Sequence, residues 1–427
     1  MKIAPLCFLG ACLLLGQTAR ADEDRTADAS ASAPGFEPAG ALDGQRFAAG
    51  NGNAWQGKPE ERGWWWQVRF AAPRPIGALL QIQGDHPLVF RNAPKSYIWQ
   101  VSDDGEKWSE LDETKITAES RMYRIHRLSK AITARFLRLR IDAAEGTSPT
   151  LREVEIYDKT DAKIQFDDWI ITVCTYEKRT IDEKPDAFTK LARQCKGWEI
   201  APAQQIWLDS FNEAFVAAEP RPLCAFLSGN FRDWCERTRE PWRGTQEVLT
   251  KGNLPMWAAC GGAQGLAILA DVGVDKEWDC PHCRDPQNPK LRIYDHIGHT
   301  KQCKCGDYSG CIHESGRFEV RQLRRDPAFA GLPRDFAIME SHCGQIMYPP
   351  KGWVLVVTKS DKGHTVHQCL RVADRPIYAA QFHIEMAGTA DNSRQIMGNF
   401  LKLAKEWGGY NSKGKALTEP ELLQPTK

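Results

Sequence analysis

Residues Pro255–Ala270 read PMWAACGGAQGLAILA. Pro255–Ala259 is an apolar run of strand length, and Gln264–Ala270 is built from strong helix formers. Cys260 stands at the junction, with Ala258 two residues before it and Gly262 two after. A nucleophile carried on a strained strand-to-helix turn needs small neighbours at those two positions. The N-terminus of the helix would lower the thiol pKa, and the backbone N–H groups that follow could hold an oxyanion. The plain alternative is a buried structural thiol in a fold without catalysis.

Outward from this turn, the flanking segments read as layers of an α/β domain. WIITVCTY (Trp169–Tyr176) and PLCAFLSG (Pro222–Gly229) are nearly continuous apolar runs, the pattern of strands buried on both faces. DAFTKLARQCKG (Asp186–Gly197) and QIWLDSFNEAFVAAE (Gln205–Glu219) predict helices between them. Further on, RPIYAAQFHIE (Arg375–Glu385) is an apolar strand ending in His383 and Glu385. Residues two apart on an extended chain project to the same side. The carboxylate can therefore orient an imidazole that serves the thiol.

In this order the back half, residues 165–408, resembles the class I glutamine amidotransferase family. AACGGAQ (Ala258–Gln264), ESHCGQIMYPPKGWVLVVTKSD (Glu340–Asp361) and QFHIE (Gln381–Glu385) match the family's G-x-C-x-G-x-Q, S-H and Q-F-H-P-E segments in sequence. FLSGN (Phe226–Asn230) stands where the family's oxyanion loop would be. The resemblance implies a flavodoxin-like α/β fold, with Cys260 as nucleophile, His383 as base and later acid, and Glu385 as the orienting carboxylate. It also implies oxyanion contacts from Gly229 and Gly261, a pocket-shaping role for Gln264, a small amide substrate, and no cofactor for catalysis. His342 falls in the S-H segment, beside the pocket or in a structural role. Three residues depart from the pattern: Ala258 and Asn230 replace glycines, and Ile384 replaces proline. No synthetase segment follows residue 408 in this sequence. The expectation is therefore a hydrolase of glutamine- or gamma-glutamyl-type carboxamides.

The front half has a different grammar. Between residues 39 and 158, WWWQVRF (Trp64–Phe70), SYIWQVS (Ser96–Ser102), RFLRLRI (Arg135–Ile141) and REVEIY (Arg152–Tyr157) alternate with period two. Many short strands punctuated by turns predict an all-β sandwich. ALDG (Ala41–Gly44), WWWQV (Trp64–Val68), VSDDGEKW (Val101–Trp108), ARFLRLRI (Ala134–Ile141) and LREVEIY (Leu151–Tyr157) together resemble the discoidin, or coagulation-factor type C, domain. That resemblance implies a jelly roll whose loops bind a glycan or a cell-surface ligand. Trp55, His86, Arg91 and Asn92 fall in its expected loops and are the candidate ligand residues. Trp64, Trp66, Val68 and Phe70 share one face and are expected in the core, with Trp99 and Trp108 structural.

Cysteine usage separates the halves: residues 22–173 contain none. Within a segment spanning 272–318 lie Cys280, Cys283, Cys303, Cys305 and Cys311, with His282, His296, His299 and His313. The pairs Cys280/Cys283 and Cys303/Cys305 resemble two halves of a zinc ribbon, and disulfides are the equal alternative. A structural zinc is thus one expectation for this insert.

The first 21 residues combine Lys2, an apolar run and Ala19-Arg20-Ala21, the pattern of a cleaved export signal. Residues 22–38 read as a flexible polar leader and 409–427 as a loose polar tail. The chain of 427 residues carries a net charge of +1, without a long basic run, which excludes an electrostatic footprint for nucleic acid. No other apolar stretch reaches the ~20 residues of a membrane span. The whole predicts an exported two-domain protein, an amide hydrolase tethered by a binding domain. Its rival is an adhesion or carbohydrate-binding protein with an inert amidotransferase-like half.

Overall fold

The alternating stretch Trp64–Phe70 becomes a strand whose even-numbered side chains, Trp64, Trp66, Val68 and Phe70, are all buried. In this computed structural model residues 24–48, 50–84, 92–175, 186–230, 233–234, 237–251, 254–278, 292–298, 311–361, 364–408 and 416–424 are described. The expected export signal, His86, Arg91 and the zinc-ribbon residues Cys280, Cys283, Cys303 and Cys305 lie outside the described residues.

The front half contains β1 (Arg25–Ala29), β2 (Trp55–Gln56), β3 (Trp64–Gln83), β4 (Pro94–Ser102), β5 (Ser109–Glu110), β6 (Tyr123–Ala144) and β7 (Thr150–Tyr157). They hydrogen-bond in the order β2-β7-β3-β6-β4-β5, with β1 also on β3. The first half of β3 pairs with β1 and the second half with β7, while β6 follows it along both. Register breaks between Arg69 and Arg74 and between Ile76 and Ala78 let the strand bend. Gly77 sits in the second break, where a Cβ would come within 2.3 Å of the Lys159 carbonyl carbon. Both halves then pack on one core with Trp55, Trp99, Leu137 and Leu139.

Two expectations change here. Arg25–Ala29, assigned to the flexible leader, forms β1, because its backbone completes the free edge of β3. The C-terminal tail is docked where described. Arg325 N–H donates to Glu421 O, Leu423 N–H to Leu323 O, and Arg334 to Gln424 O.

The back half runs β8 (Ile170–Cys174), α1 (Ala187–Ala192), β9 (Ala203–Trp207), α2 (Glu213–Ala217), β10 (Cys224–Leu227), α3 (Arg243–Lys251), β11 (Met256–Ala259), α4 (Gly261–Asp271) and β12 (Tyr294–His296). It continues with β13 (Glu314–Gln322), β14 (Asp335–His342), β15 (Gly344–Ile346), β16 (Trp353–Asp361), β17 (His364–Val372), β18 (Ile377–Ala380) and α5 (Ala390–Trp407). Nine strands form one sheet in the order β14-β13-β16-β17-β18-β11-β10-β8-β9.

The strands β9, β8, β10, β11 and β18 are parallel, as the apolar runs predict. Beyond β18 the sheet turns antiparallel through β17, β16, β13 and β14, so it is mixed. The links between β16, β17 and β18 are too short for a crossover helix, and only antiparallel pairing is open to them. Part of the predicted helix Gln205–Glu219 is also strand: Ala203–Trp207 pairs with β8, and helix resumes only at Glu213. An apolar pattern this short serves either element, and the open edge of β8 decides it.

The two halves share apolar packing. Leu80, Ile82, Ala93, Met122 and Tyr123 of the β domain belong to the same buried cluster as Trp169, Ile171, Phe215 and Val216. Arg121, fully buried, donates from its guanidinium to the carbonyls of Phe215, Ala218 and Pro220.

Candidate active site

Cys260 occupies the turn between β11 and α4 with φ 49° and ψ −115°, one of three non-glycine residues at positive φ among those described. Such a backbone is costly for a side chain bearing a Cβ, on the order of 1–3 kcal/mol. The turn is held by two hydrogen bonds: Cys260 N–H to Ala380 O at 2.8 Å and Gln264 N–H to Cys260 O at 3.0 Å. Ala258, which replaces a glycine of the family pattern, is fully buried without disturbing β11.

The parallel register of β11 with β18 brings Ala259 opposite Ala380, so both chains leave the sheet at the same edge. This edge, at the carboxyl ends of parallel strands, is where open α/β sheets place their ligands. His383 follows β18 by three residues, and its N–H donates to Met339 O at 2.9 Å, tying it to β14. His383 Nδ1 lies 2.6 Å from Glu385 Oε1. Both side chains are about nine-tenths buried, and the intervening Ile384 is fully buried.

Gly229 reports how close the thiol and the imidazole are. A Cβ placed on it would lie 3.2 Å from His383 Cε1, 3.4 Å from Cys260 Cβ and 3.9 Å from Cys260 Sγ. The three residues thus meet around one point, and only glycine leaves that point open. Gly261 packs as tightly on the same loop, where a Cβ would come within 2.6 Å of Asn230 N. The loop itself is fixed by Thr175, whose Oγ1 donates to Gly229 O at 2.8 Å. Asn230 Nδ2 in turn donates to Thr175 O at 2.8 Å.

The electrostatics follow from this crowding. Burial alone would raise the thiol pKa, but the His383 ring, then the charge of His342 and the Gly261 N–H, outweigh it and leave the thiol below its usual value. Burial likewise opposes a charged His383, yet Glu385 and the thiol raise its pKa to about 10. His383 Nε2 is buried without a hydrogen-bond partner, and the Cys260 Sγ contacts Ser341 O at 3.6 Å. A thiolate–imidazolium pair poised for nucleophilic attack is what such a pairing supports.

Other sequence candidates fall into different places. Gln264 is buried with both ends engaged: its Oε1 accepts from Trp234 Nε1 at 3.0 Å, and its Nε2 donates to Gln381 Oε1 at 3.1 Å. It braces α4 against the strand end and presents no free amide. Trp55, a candidate sugar platform, is fully buried, with its Nε1 donating to Ala31 O, so no ring face is open to a ligand. Asn92 is a loop residue at φ 50° whose side-chain Oδ1 accepts from Thr147 N at 3.3 Å. Trp99 is core, and the half-buried Trp108 is structural too: it packs on Phe136, its Nε1 donates to Gly105 O, and the Arg138 guanidinium lies 3.7 Å from its ring centroid.

One cluster escaped the sequence reading. Glu314, Glu340 and His342 are buried together, with donor atoms within 4.8 Å of one another, and the carbonyl of the intervening Ser341 touches the Cys260 sulfur. Their spacing suits a cation, but the Lys359 ammonium already supplies it, 2.5 Å from Glu314 Oε1 and 3.7 Å from Glu340 Oε2. That donor set therefore does not fit a metal ion. The only sequence signal was His342 itself, two residues after Glu340 on β14; Glu314 and Lys359 come from β13 and β16. In the insert, His296 Nε2 lies 2.8 Å from Asp233 Oδ1 and His296 Nδ1 3.1 Å from Cys311 Sγ. No helix among the described residues is long and apolar enough to cross a membrane.

Comparison with known proteins bears on both halves. Residues 26–154 match the F5/8 type C domain family. The chain is 31% identical over 108 residues to the glutamine-hydrolyzing GMP synthase of Thermosipho africanus (strain TCF52B), covering 23% of this chain and 20% of that protein. It is 34% identical over 89 residues to a glutamine-hydrolyzing GMP synthase subunit of Pyrococcus abyssi (strain GE5 / Orsay), covering 21% of this chain and 45% of that protein. The crystal structure of a GMP synthase subunit from Thermoplasma acidophilum aligns with TM-score 0.40 at 18% identity over 56% of this chain and 96% of that one. The chain thus spans between about a fifth and about half of the length of the Thermosipho and Pyrococcus relatives.

Proposed function

We propose that the α/β half is a cysteine amide hydrolase for glutamine- or gamma-glutamyl-type carboxamides. In this reading the F5/8 type C domain tethers it outside the cell to a glycan or another surface ligand. The observation that carries the proposal is the convergence on Gly229: one unfilled point 3.2 Å from His383 Cε1 and 3.9 Å from the sulfur of a strained, unbridged Cys260. The partial similarity to glutamine-hydrolyzing GMP synthases supports the choice of amide.

The chemistry runs through this chain's own groups. The Cys260 thiolate attacks the carboxamide carbon, and the N–H groups of Gly229 and Gly261 receive the oxyanion. Collapse breaks the C–N bond, and His383 gives its Nε2 proton to the departing amine or ammonia. The resulting thioester is hydrolysed when neutral His383 takes a proton from water. Hydroxide adds, and Cys260 leaves as thiolate with the carboxylic acid product. Glu385 holds the ring and balances its charge in both steps.

Labelling with a glutamine-analogue chloroketone tests this reading. Cys260 is expected to be alkylated in the full chain, not in Cys260→Ala, and much more slowly in His383→Ala at neutral pH. Loss of glutamine hydrolysis should parallel the labelling. Equal labelling of wild type and His383→Ala, or none in either, would leave an inert amidotransferase-like domain on a binding protein.

A further inference from the structure

Cys260 has a second histidine beside it. The carbonyl that touches its sulfur belongs to Ser341, and the next residue is His342. His342 Nδ1 lies 3.0 Å from Gly344 O, while its Nε2 lies 3.2 Å from Glu340 Oε2 and 3.2 Å from Glu314 Oε2. The Gly344 carbonyl only accepts, and so does the Glu314 carboxylate, held down at about 2 by His342, Glu340 and Lys359 despite its burial, so both ring nitrogens donate, and an imidazole with two N–H groups is the imidazolium.

Strand geometry builds the cradle. Glu314 on β13 sits directly opposite His342 on β14, and Glu340 precedes His342 by two residues on the same face. Lys359 of β16 pins Glu314 at 2.5 Å while its ammonium lies over the Phe318 ring, and Gln368 of β17 donates to Glu314 Oε2 at 3.4 Å. Four ionisable side chains buried in one place are expensive to desolvate, and apolar packing would serve stability as well or better. Their position against the nucleophile gives them a use.

Resting on the reading of Cys260 as nucleophile, we propose that His342 is a positioning residue. It is an imidazole protonated through neutral pH, fixed by Glu314 and Glu340, whose charge keeps the Cys260 sulfur a thiolate whatever the protonation of His383. The reaction needs such a charge. Once His383 has given its proton to the amine it is neutral, and it must then accept one from water. A fixed second cation near the sulfur makes thiolate a better leaving group in the second step. Two imidazoles bear on the sulfur: His383, paired with Glu385, and His342, which follows the Ser341 carbonyl in contact with the sulfur and is held by Glu314 and Glu340. The thiol is lowered by His342 as well as by His383, and His342 itself is held at about 9 despite its burial.

The test is the pH–rate profile for iodoacetamide alkylation of Cys260 in the full chain, read by mass spectrometry of its peptide. His342→Gln is expected to raise the apparent thiol pKa by about one unit, slowing alkylation below it about tenfold. Glu340→Gln, which keeps the imidazole and an acceptor, should move it the same way by less. In the wild type, ring 15N shifts should show His342 doubly protonated across roughly pH 6 to 8. A neutral ring, or a His342→Gln profile superposing on wild type, would overturn the assignment; if that variant does not fold, the ring measurement and Glu340→Gln decide. None of these readouts depends on hydrolysis of an amide bond. A shifted profile without hydrolysis removes the hydrolase reading and keeps this inference, and hydrolysis with an unmoved profile does the reverse.

Discussion

The residue that concentrates strain and charge in this molecule is Cys260, and its behaviour with pH follows from its partner. The imidazole of His383 is raised from its ordinary 6.5 to about 10, so its charge is complete at low pH and is lost as pH rises through about 10. The thiol is lowered, so its charge is complete at high pH and is lost as pH falls through that depressed value. The ion pair therefore survives between the two. On the mechanism proposed, glutamine hydrolysis is expected to fall above about pH 10, where the leaving amine has no proton donor. Alkylation of Cys260 should persist there, because the thiolate remains. Measuring both profiles on one preparation checks this, and parallel decline of the two would contradict it.

At the scale of elements, the loop Ser228–Asn230 matters to the proposed site as much as Cys260, His383 and Glu385. Thr175 clamps it, with its N–H donating to Ser228 Oγ at 3.1 Å and its Oγ1 to Gly229 O at 2.8 Å, so the loop cannot retreat. Gly229→Ala would force a methyl against His383 Cε1 and Cys260 Cβ, displacing the ring by tenths of an ångström. A shift of that size in a reacting pair is expected to cost about 10–100-fold in kcat with the melting temperature nearly unchanged. Hydrolysis assays beside thermal melts decide it. Unchanged kcat would place the reacting centre elsewhere.

At the scale of the whole molecule, the β domain and the α/β domain are joined by an apolar seam in which Arg121 is fully buried, with Arg127 pairing Glu219 nearer the surface. Arg121 donates to Ala218 O at 2.7 Å and Pro220 O at 2.6 Å, and lies 5.2 Å from the Trp169 ring and 5.1 Å from the Phe215 ring. Arg121→Met keeps the volume and leaves those carbonyls without their donor, at a cost on the order of 2–4 kcal/mol. Calorimetry is expected to show a single transition for the wild type and a lower or divided one for the variant. An unaltered thermogram would mean the seam holds without the arginine.

The sequence by itself determined the features that depend on neighbours along the chain. Small residues flanking Cys260 announced a sharp turn, period-two alternation put Trp64, Trp66 and Val68 inside, and His383 and Glu385 were bound to share a side. Backbone sterics and residue periodicity act within a few positions, so these were legible. Only the tertiary structure decided what depends on which strand lies beside which. It buried Trp55, turned Ala203–Trp207 into an edge strand, drew Arg25–Ala29 out of the leader, and set Glu314 across from His342 with Lys359 reaching in from a third strand. Desolvation and charge pairing are set by three-dimensional neighbours, and no spacing along the chain records that Lys359 would pair with Glu314 or that Glu314 would meet the His342 ring.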